Sequence, residues 1–236
     1  MGEDFIVNEN VLIPRDETEI LVRKAVEVVK SKKQKGKSNQ EPQNPSTLQP
    51  FNISTKTNCS PVHLFTYSTI KVLDIGTGSG CIACMIAKLT DAQVLGVDVS
   101  LDALQIALDN SSKLGLFNKA IFRKSDIFSN VKSDEKFDII ISNPPYIPIN
   151  EKFTLQTEVG FEPDLALFAQ DIDGVEFYEK IITKAPEFLN EGGFLMFELG
   201  IGQAQKVKTL MSENGFKNIE IEKDLAGIER IILGER

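Results

Sequence analysis

The apolar run Phe137-Asp138-Ile139-Ile140-Ile141-Ser142 leads directly into Asn143-Pro144-Pro145-Tyr146. Two successive prolines fix the backbone and leave carbonyl oxygens without a local partner, and Asn143 adds a side-chain oxygen that accepts hydrogen bonds. Such a set can hold an NH2 group by both of its hydrogens, with Tyr146 stacking on the planar group behind it. An amide nitrogen is a poor nucleophile because its lone pair is delocalised into the carbonyl. Accepting hydrogen bonds from its protons returns electron density to nitrogen, and holding it in line aligns a displacement. Prolines after a strand also occur as a plain turn. The asparagine before them and the aromatic after them make this one specific.

Two earlier strand ends suit a nucleoside ligand. Val72-Leu73-Asp74-Ile75 runs into Gly76-Thr77-Gly78-Ser79-Gly80 and then into a helical pattern. Glycines let a backbone approach a ligand closely, and amides at a helix start favour a carboxylate or phosphate. A dinucleotide fingerprint needs its third glycine one position later, where Cys81 stands, so the G-x-G-x-G form suits a ligand without a pyrophosphate. About twenty residues on, Val94-Leu95-Gly96-Val97 ends in Asp98, placed to accept from both hydroxyls of a ribose. Alone, Asp98 would read equally well as a cap for the next helix; beside the glycine loop the ribose role is favoured. Asp126 ends the third strand in the same crevice, where it could accept from an adenine amino group while Ile127 packs on the base.

The elements that must position these residues alternate. Strands are expected at 70–75, 93–98, 120–124, 137–142, 193–198, 217–222 and 228–233, with helices at 79–89, 101–114, 174–189 and 202–214. Strands separated by helices imply right-handed crossovers and a mostly parallel sheet covered on both faces; the last two strands are close enough to pair antiparallel. Upstream, residues 4–13 read as two short strands around a turn at Asn8-Glu9-Asn10, and Ile20, Leu21, Ala25, Val28 and Val29 recur at helical spacing to about Lys30. These residues form a hairpin and helix (1–30) leading into a catalytic domain (70–236). Between them, 31–69 is rich in Lys, Gln, Asn, Ser, Thr and Pro. Too little apolar surface is available there to offset ordering entropy, so a disordered insertion is expected.

Composition narrows the function classes. The chain has 236 residues, a net charge of −8 and 42% hydrophobic residues, which suits a packed domain and argues against a large nucleic-acid footprint. The start MGEDFIVNENV lacks the pattern of a signal peptide, and no apolar run approaches a membrane span. Three cysteines (Cys59, Cys81, Cys84) do not make a disulfide framework, so the cytoplasm is the expected location. Cys81 and Cys84 form a CxxC, but with no second pair and a single histidine, His63, they are read as small apolar helix residues. No metal is expected. The lone histidine also disfavours Ser-His-Asp and Cys-His hydrolases. Glu198 ends a strand and is left outside the catalytic set, since it serves equally well as an acid at a helix start.

On these motifs the chain resembles the HemK/PrmC family of protein-(glutamine-N5) methyltransferases. The resemblance rests on Val11-Leu12-Ile13-Pro14-Arg15 with Glu17-Thr18-Glu19, the glycine loop, Asp98, Asn143–Tyr146, Phe161-Glu162-Pro163 with Leu165–Phe168, Asp173-Gly174 with Phe177-Tyr178, and Asp224–Gly227. It covers nearly all of the chain except 31–69, and begins after the helical N-terminal domain that family members usually carry. It implies an α/β class I S-adenosylmethionine-dependent methyltransferase fold, Rossmann-like and seven-stranded. It implies S-adenosyl-L-methionine held by Gly76–Gly80, Asp98, Ile127 and Asn143, to which the strand-end reading adds Asp126, and a glutamine held by Asn143, Pro144, Pro145 and Tyr146. Phe5 and Arg15 border the substrate by resemblance only. The implied substrate is the Gly-Gly-Gln glutamine of peptide-chain release factors, the partner of an enzyme expected to work as a monomer without direct nucleic-acid binding. The same asparagine-proline-proline-aromatic device serves amino-methyltransferases of adenine or cytosine, which are the main rival. The residues are also compatible with a ribosomal-protein glutamine as acceptor and with a non-catalytic scaffold that only binds the cofactor.

Overall fold

A computed structural model describes residues 2–38, 69–151, 163–169 and 171–236. Its elements are α1 (Asp16–Ser38), β1 (Lys71–Ile75), α2 (Cys81–Leu89), β2 (Gln93–Asp98), α3 (Leu101–Lys113), β3 (Ala120–Lys124), β4 (Phe137–Ser142), β5 (Ile147–Pro148), α4 (Asp164–Leu167), β6 (Phe168–Ala169), α5 (Glu176–Phe188), β7 (Leu189–Glu198), α6 (Ala204–Glu213), β8 (Lys217–Lys223) and β9 (Glu229–Glu235). The main sheet has seven strands in the order β3-β2-β1-β4-β7-β9-β8. Pairing is parallel from β3 through to β7 and antiparallel at β9.

The strand sequences explain this arrangement. In β1 and β4 nearly every side chain is buried, so apolar residues run continuously instead of alternating with polar ones. Successive side chains still point to opposite faces. Val72, Ile139 and Ile141 join a cluster with Leu21, Val22 and Ala25 of α1 and Ile82 and Ile86 of α2. Leu73 and Ile140 join the opposite cluster with Ile181 and Ile182 of α5 and Val207 of α6. Ile139, Ile140 and Ile141 are fully buried, each stabilising the fold by roughly 1.5–3 kcal/mol. The edge strand β8 carries Lys217, Glu220, Glu222 and Lys223, charges that discourage pairing with another sheet, and Lys24 of α1 pairs with Glu220 and Glu222.

Three upstream and local expectations differ. Residues 4–13 form no strand pair. Ile6 N–H donates to Asn110 Oδ1 at 2.7 Å and Ile6 C=O accepts from Asn110 Nδ2 at 2.9 Å, so a side chain of α3 takes the groups a partner strand would need. Val11 then turns inward against Ala103 and Ile106. Helix α1 continues past Lys30 to Ser38, drawn on by Lys32 Nζ donating to Gly192 O at 2.6 Å and by a Lys33–Asp91 ion pair. The rest of the expected insertion, 39–68, lies outside the described residues, as do Cys59 and His63. Strand β7 starts at Leu189 because Leu189 pairs with Phe137 ahead of a register shift that resumes at Ile139–Phe194. The small β5–β6 pair, which the sequence pattern does not announce, joins the chain just after Tyr146 to Phe168 and Ala169.

Candidate active site

The strand order reverses at β1: β2 and β3 lie to one side, β4 and β7 to the other. Such a switch point opens a crevice at the strand carboxyl ends, where ligands bind in open α/β sheets. The register is informative here. Ile75 pairs with Val97 and with Ser142, and Ser142 with Phe197. One step further along, Gly76, Asp98, Asn143 and Glu198 therefore stand in a row across four adjacent strands.

The glycine turn is held from below. Gly76 and Thr77 N–H both donate to Val97 O, at 2.9 and 3.0 Å, and Thr77 Oγ1 donates to Asp74 Oδ2 at 2.6 Å. Gly76 and Gly78 have left-handed φ values of 69° and 53°, and a Cβ on either would meet nothing within 4 Å. The backbone is thus bared toward open space. Gly80 has a different role: a Cβ there would lie 2.9 Å from Ala107 Cβ of α3, so it permits close helix packing. Asp98 takes Gly78 N–H on Oδ2 and Ser100 N–H on Oδ1, both at 2.9 Å, which aims the carboxylate and leaves each oxygen further accepting capacity. Ser100, not Asp98, caps α3 through Ala103 N–H.

A cavity of about 530 Å³ lies over this row, within the range of small-molecule sites. Its lining includes Gly76, Thr77, Gly78, Ser79, Asp98, Asp126, Ile127, Asn143, Pro144 and Pro145, so ten of the expected residues come together. Ile127 enters it with φ at 50°, an uncommon state for a β-branched residue that re-aims the chain after β3. Gly80 and Tyr146 are not in the lining. The Tyr146 ring packs against the lower core cluster, its carbonyl accepts from Gln203 Nε2 at 2.9 Å, and burial pushes its phenol up to about 12. Gln203 also donates to the carbonyls of Asp173 and Gly174 and accepts from Gly200 N–H. It fastens the asparagine-proline-proline turn to the segment that leads into α5. Gly174 is required there, because a Cβ would fall 2.1 Å from Tyr146 O.

Sequence reasoning passed over three contributors. Glu198 is buried and does not cap α6, whose first residue is Ala204. Its Oε2 accepts from Thr18 Oγ1 at 2.7 Å, and it stands beside Asn143, one step past the Ser142–Phe197 pair. Thr18 and, from α5, Phe177 line the cavity. Glu198's position at a strand end in the crevice was the available signal. Cys81 and Cys84 sit on α2 with thiols pushed to about 12, mainly by burial, which keeps them from acting as nucleophiles near neutral pH. Among the described residues no group of three or more His, Cys, Asp or Glu is placed to hold a metal ion, and no helix is long and apolar enough to cross a membrane.

Burial raises both Asp74 and Glu198 to about 7. Between the ordinary carboxylate range and about 7, the folded chain keeps protons that the unfolded chain has released. Stability therefore falls as pH rises through that window and levels off above it. Denaturant midpoints of the ligand-free protein across this range should follow that slope, and Asp74→Asn should flatten it. An unchanged slope in the variant would show that Asp74 ionises as freely folded as unfolded.

The comparisons with known proteins agree with this geometry. A family model described as a methyltransferase domain matches residues 67–228. A release factor glutamine methyltransferase of Geobacter sulfurreducens is 38% identical over 99% of this chain and 68% of its own length. A bifunctional methyltransferase of Rickettsia conorii is 36% identical over 98% of this chain, which spans 42% of that longer protein. Among solved structures, the hMettl16 catalytic domain in complex with MAT2A 3'UTR hairpin 6 superposes with a TM-score of 0.66, covering 99% of this chain and 75% of that one. At 14% identity that likeness speaks for the fold alone. Fold, strand-end row and the match of 99% of this chain to the Geobacter sulfurreducens protein converge: the chain belongs to the release factor glutamine methyltransferase family.

Proposed function

We propose that this chain transfers a methyl group from S-adenosyl-L-methionine to the side-chain amide nitrogen of a protein glutamine, the Gly-Gly-Gln glutamine of a peptide-chain release factor. The observation that carries the reading is the row at the switch point. It brings the bared glycine backbone, the Asp98 carboxylate and the Asn143 turn around one cavity. The residues fit the methyl donor. Asp98 has an acceptor on each oxygen for a ribose diol, Gly76 and Gly78 leave room for close approach, and Ile127 offers an apolar surface to a base with Asp126 beside it. When bound, the donor supplies an electrophilic methyl carbon on a sulfonium.

The chain's own residues do the rest. Asn143 Oδ1 and the Pro144 carbonyl accept from the two hydrogens of the glutamine NH2 and turn its lone pair toward the cavity. Tyr146, fixed through Gln203, keeps that turn in place. The acceptors disperse the positive charge that develops on nitrogen as the N–C bond forms and the methyl–sulfur bond breaks; the thioether S-adenosylhomocysteine then leaves and the surplus proton passes to solvent. The enzyme is assigned one in-line transfer, acting as a monomer.

Incubating the purified chain with methyl-labelled S-adenosylmethionine tests the reading. A release factor, its Gly-Gly-Gln→Gly-Gly-Ala variant, and structured RNA and duplex DNA serve as separate acceptors. Label on the factor and none on the variant is expected. Label only on nucleic acid would overturn the substrate and keep the site.

A further inference from the structure

We infer that Glu198 is a positioning residue for Asn143, with Thr18 of α1 completing the arrangement. The inference rests on the proposed function, in which Asn143 receives the NH2 group. A side-chain amide is two-sided: turned one way it shows the cavity an acceptor, turned the other way a donor. Donors facing the hydrogens of an incoming NH2 would repel it, so something must select the rotamer.

The structure supplies the selector. Glu198 closes β7 opposite Asn143, which follows β4 one step past the Ser142–Phe197 pair. Its carboxylate stands beside Asn143, which lines the cavity, so it is placed to take the Asn143 NH2 and leave Oδ1 for the cavity. Thr18 Oγ1 donates to Glu198 Oε2 at 2.7 Å, so the carboxylate is held from a second side by a donor. The backbone beneath is equally fixed. Tyr178 Oη donates to Glu198 O at 3.0 Å, and Leu199 N–H donates to Arg230 O at 2.7 Å.

A purely structural account fits poorly. Glu198 is 1% exposed, and no Lys or Arg pairs with its carboxylate among the described ion pairs. Arg230, whose charge reaches Glu198, is bonded instead to Glu17 and Asp224. A buried carboxylate without a paired counter-charge costs stability that an apolar residue of similar volume would not. The group is expensive for the fold and well placed for the site.

The test uses the full chain, labelled S-adenosylmethionine and a release factor. In Glu198→Ala, kcat should fall about 100-fold, the loss expected when a reacting group is misplaced by around an ångström. KM for both substrates and the thermal midpoint should stay near wild type or the midpoint should rise. Glu198→Gln keeps an oxygen for the Asn143 amide and should recover about tenfold of that loss. The Asn143 side-chain amide is followed in parallel by NMR: its protons are expected to be exchange-protected in wild type and in Glu198→Gln, with protection lost in Glu198→Ala. Wild-type kcat in Glu198→Ala, or equal losses in both variants with lowered midpoints, overturns the inference. A wild-type chain that leaves the factor unlabelled, yet shows the protected amide lost only in Glu198→Ala, overturns the substrate reading and upholds the positioning role.

Discussion

Asn143→Ala should lower turnover by about 100- to 1,000-fold, the range seen when one pre-organised group facing developing charge is removed. The substitution deletes the acceptor presented to the NH2 group and removes the amide that stands beside Glu198. It leaves Gly76, Gly78 and Asp98 where they are, since their bonds run to Val97, Ser100 and one another. Cofactor affinity, measured by calorimetry, should therefore stay within about tenfold, or 1.4 kcal/mol. If cofactor binding disappears along with turnover, Asn143 is a structural residue of the crevice and not an acceptor for substrate.

Asp98→Ala tests the other half of the cavity. The carboxylate is assigned two hydroxyl hydrogen bonds, and charge-assisted bonds contribute about 1.5–3 kcal/mol each. Cofactor affinity should fall by at least about 100-fold, with a rise in KM for the methyl donor and little change in KM for the release factor. Asp98 also organises Gly78 and Ser100 through its two oxygens. Asp98→Asn is the sharper comparison, because it keeps size and one acceptor while removing the charge. Unchanged affinity in both variants would refute the ribose assignment.

Much of this site was legible in the sequence, and the reasons are local. Each parallel strand is a short apolar run stopped by a residue that cannot continue it: Gly76 after β1, Pro144 shortly after β4. The residues at those stops share a crevice because the sheet puts all parallel carboxyl ends on one side. Asn143, Asp98 and the glycine turn could be named from that rule. What escaped depends on partners far away in the chain. Glu198 and Thr18 bond across 180 positions, and nothing in Phe197-Glu198-Leu199 distinguishes a cap from a buried acceptor. The hairpin expected at 4–13 failed for the same cause: alternation announces an extended segment, but not that Asn110, 104 positions on, will satisfy its backbone. Gly80 sits in the motif and yet serves α3. Spacing fixes where a glycine is, while its neighbours decide what the missing Cβ is for.

The placement of Thr18 has a consequence for what counts as the enzyme's smallest working unit. The methyltransferase match begins at residue 67, but Val11, Pro14 and Thr18 form part of the cavity wall and Leu21, Val22 and Ala25 are fully buried against the sheet. The working unit is thus discontinuous in sequence, with α1 and its lead-in docked onto the rest as one piece of a two-piece object. An excised fragment starting at β1 would carry the glycine turn and the proline pair but arrive with one wall of its active site missing.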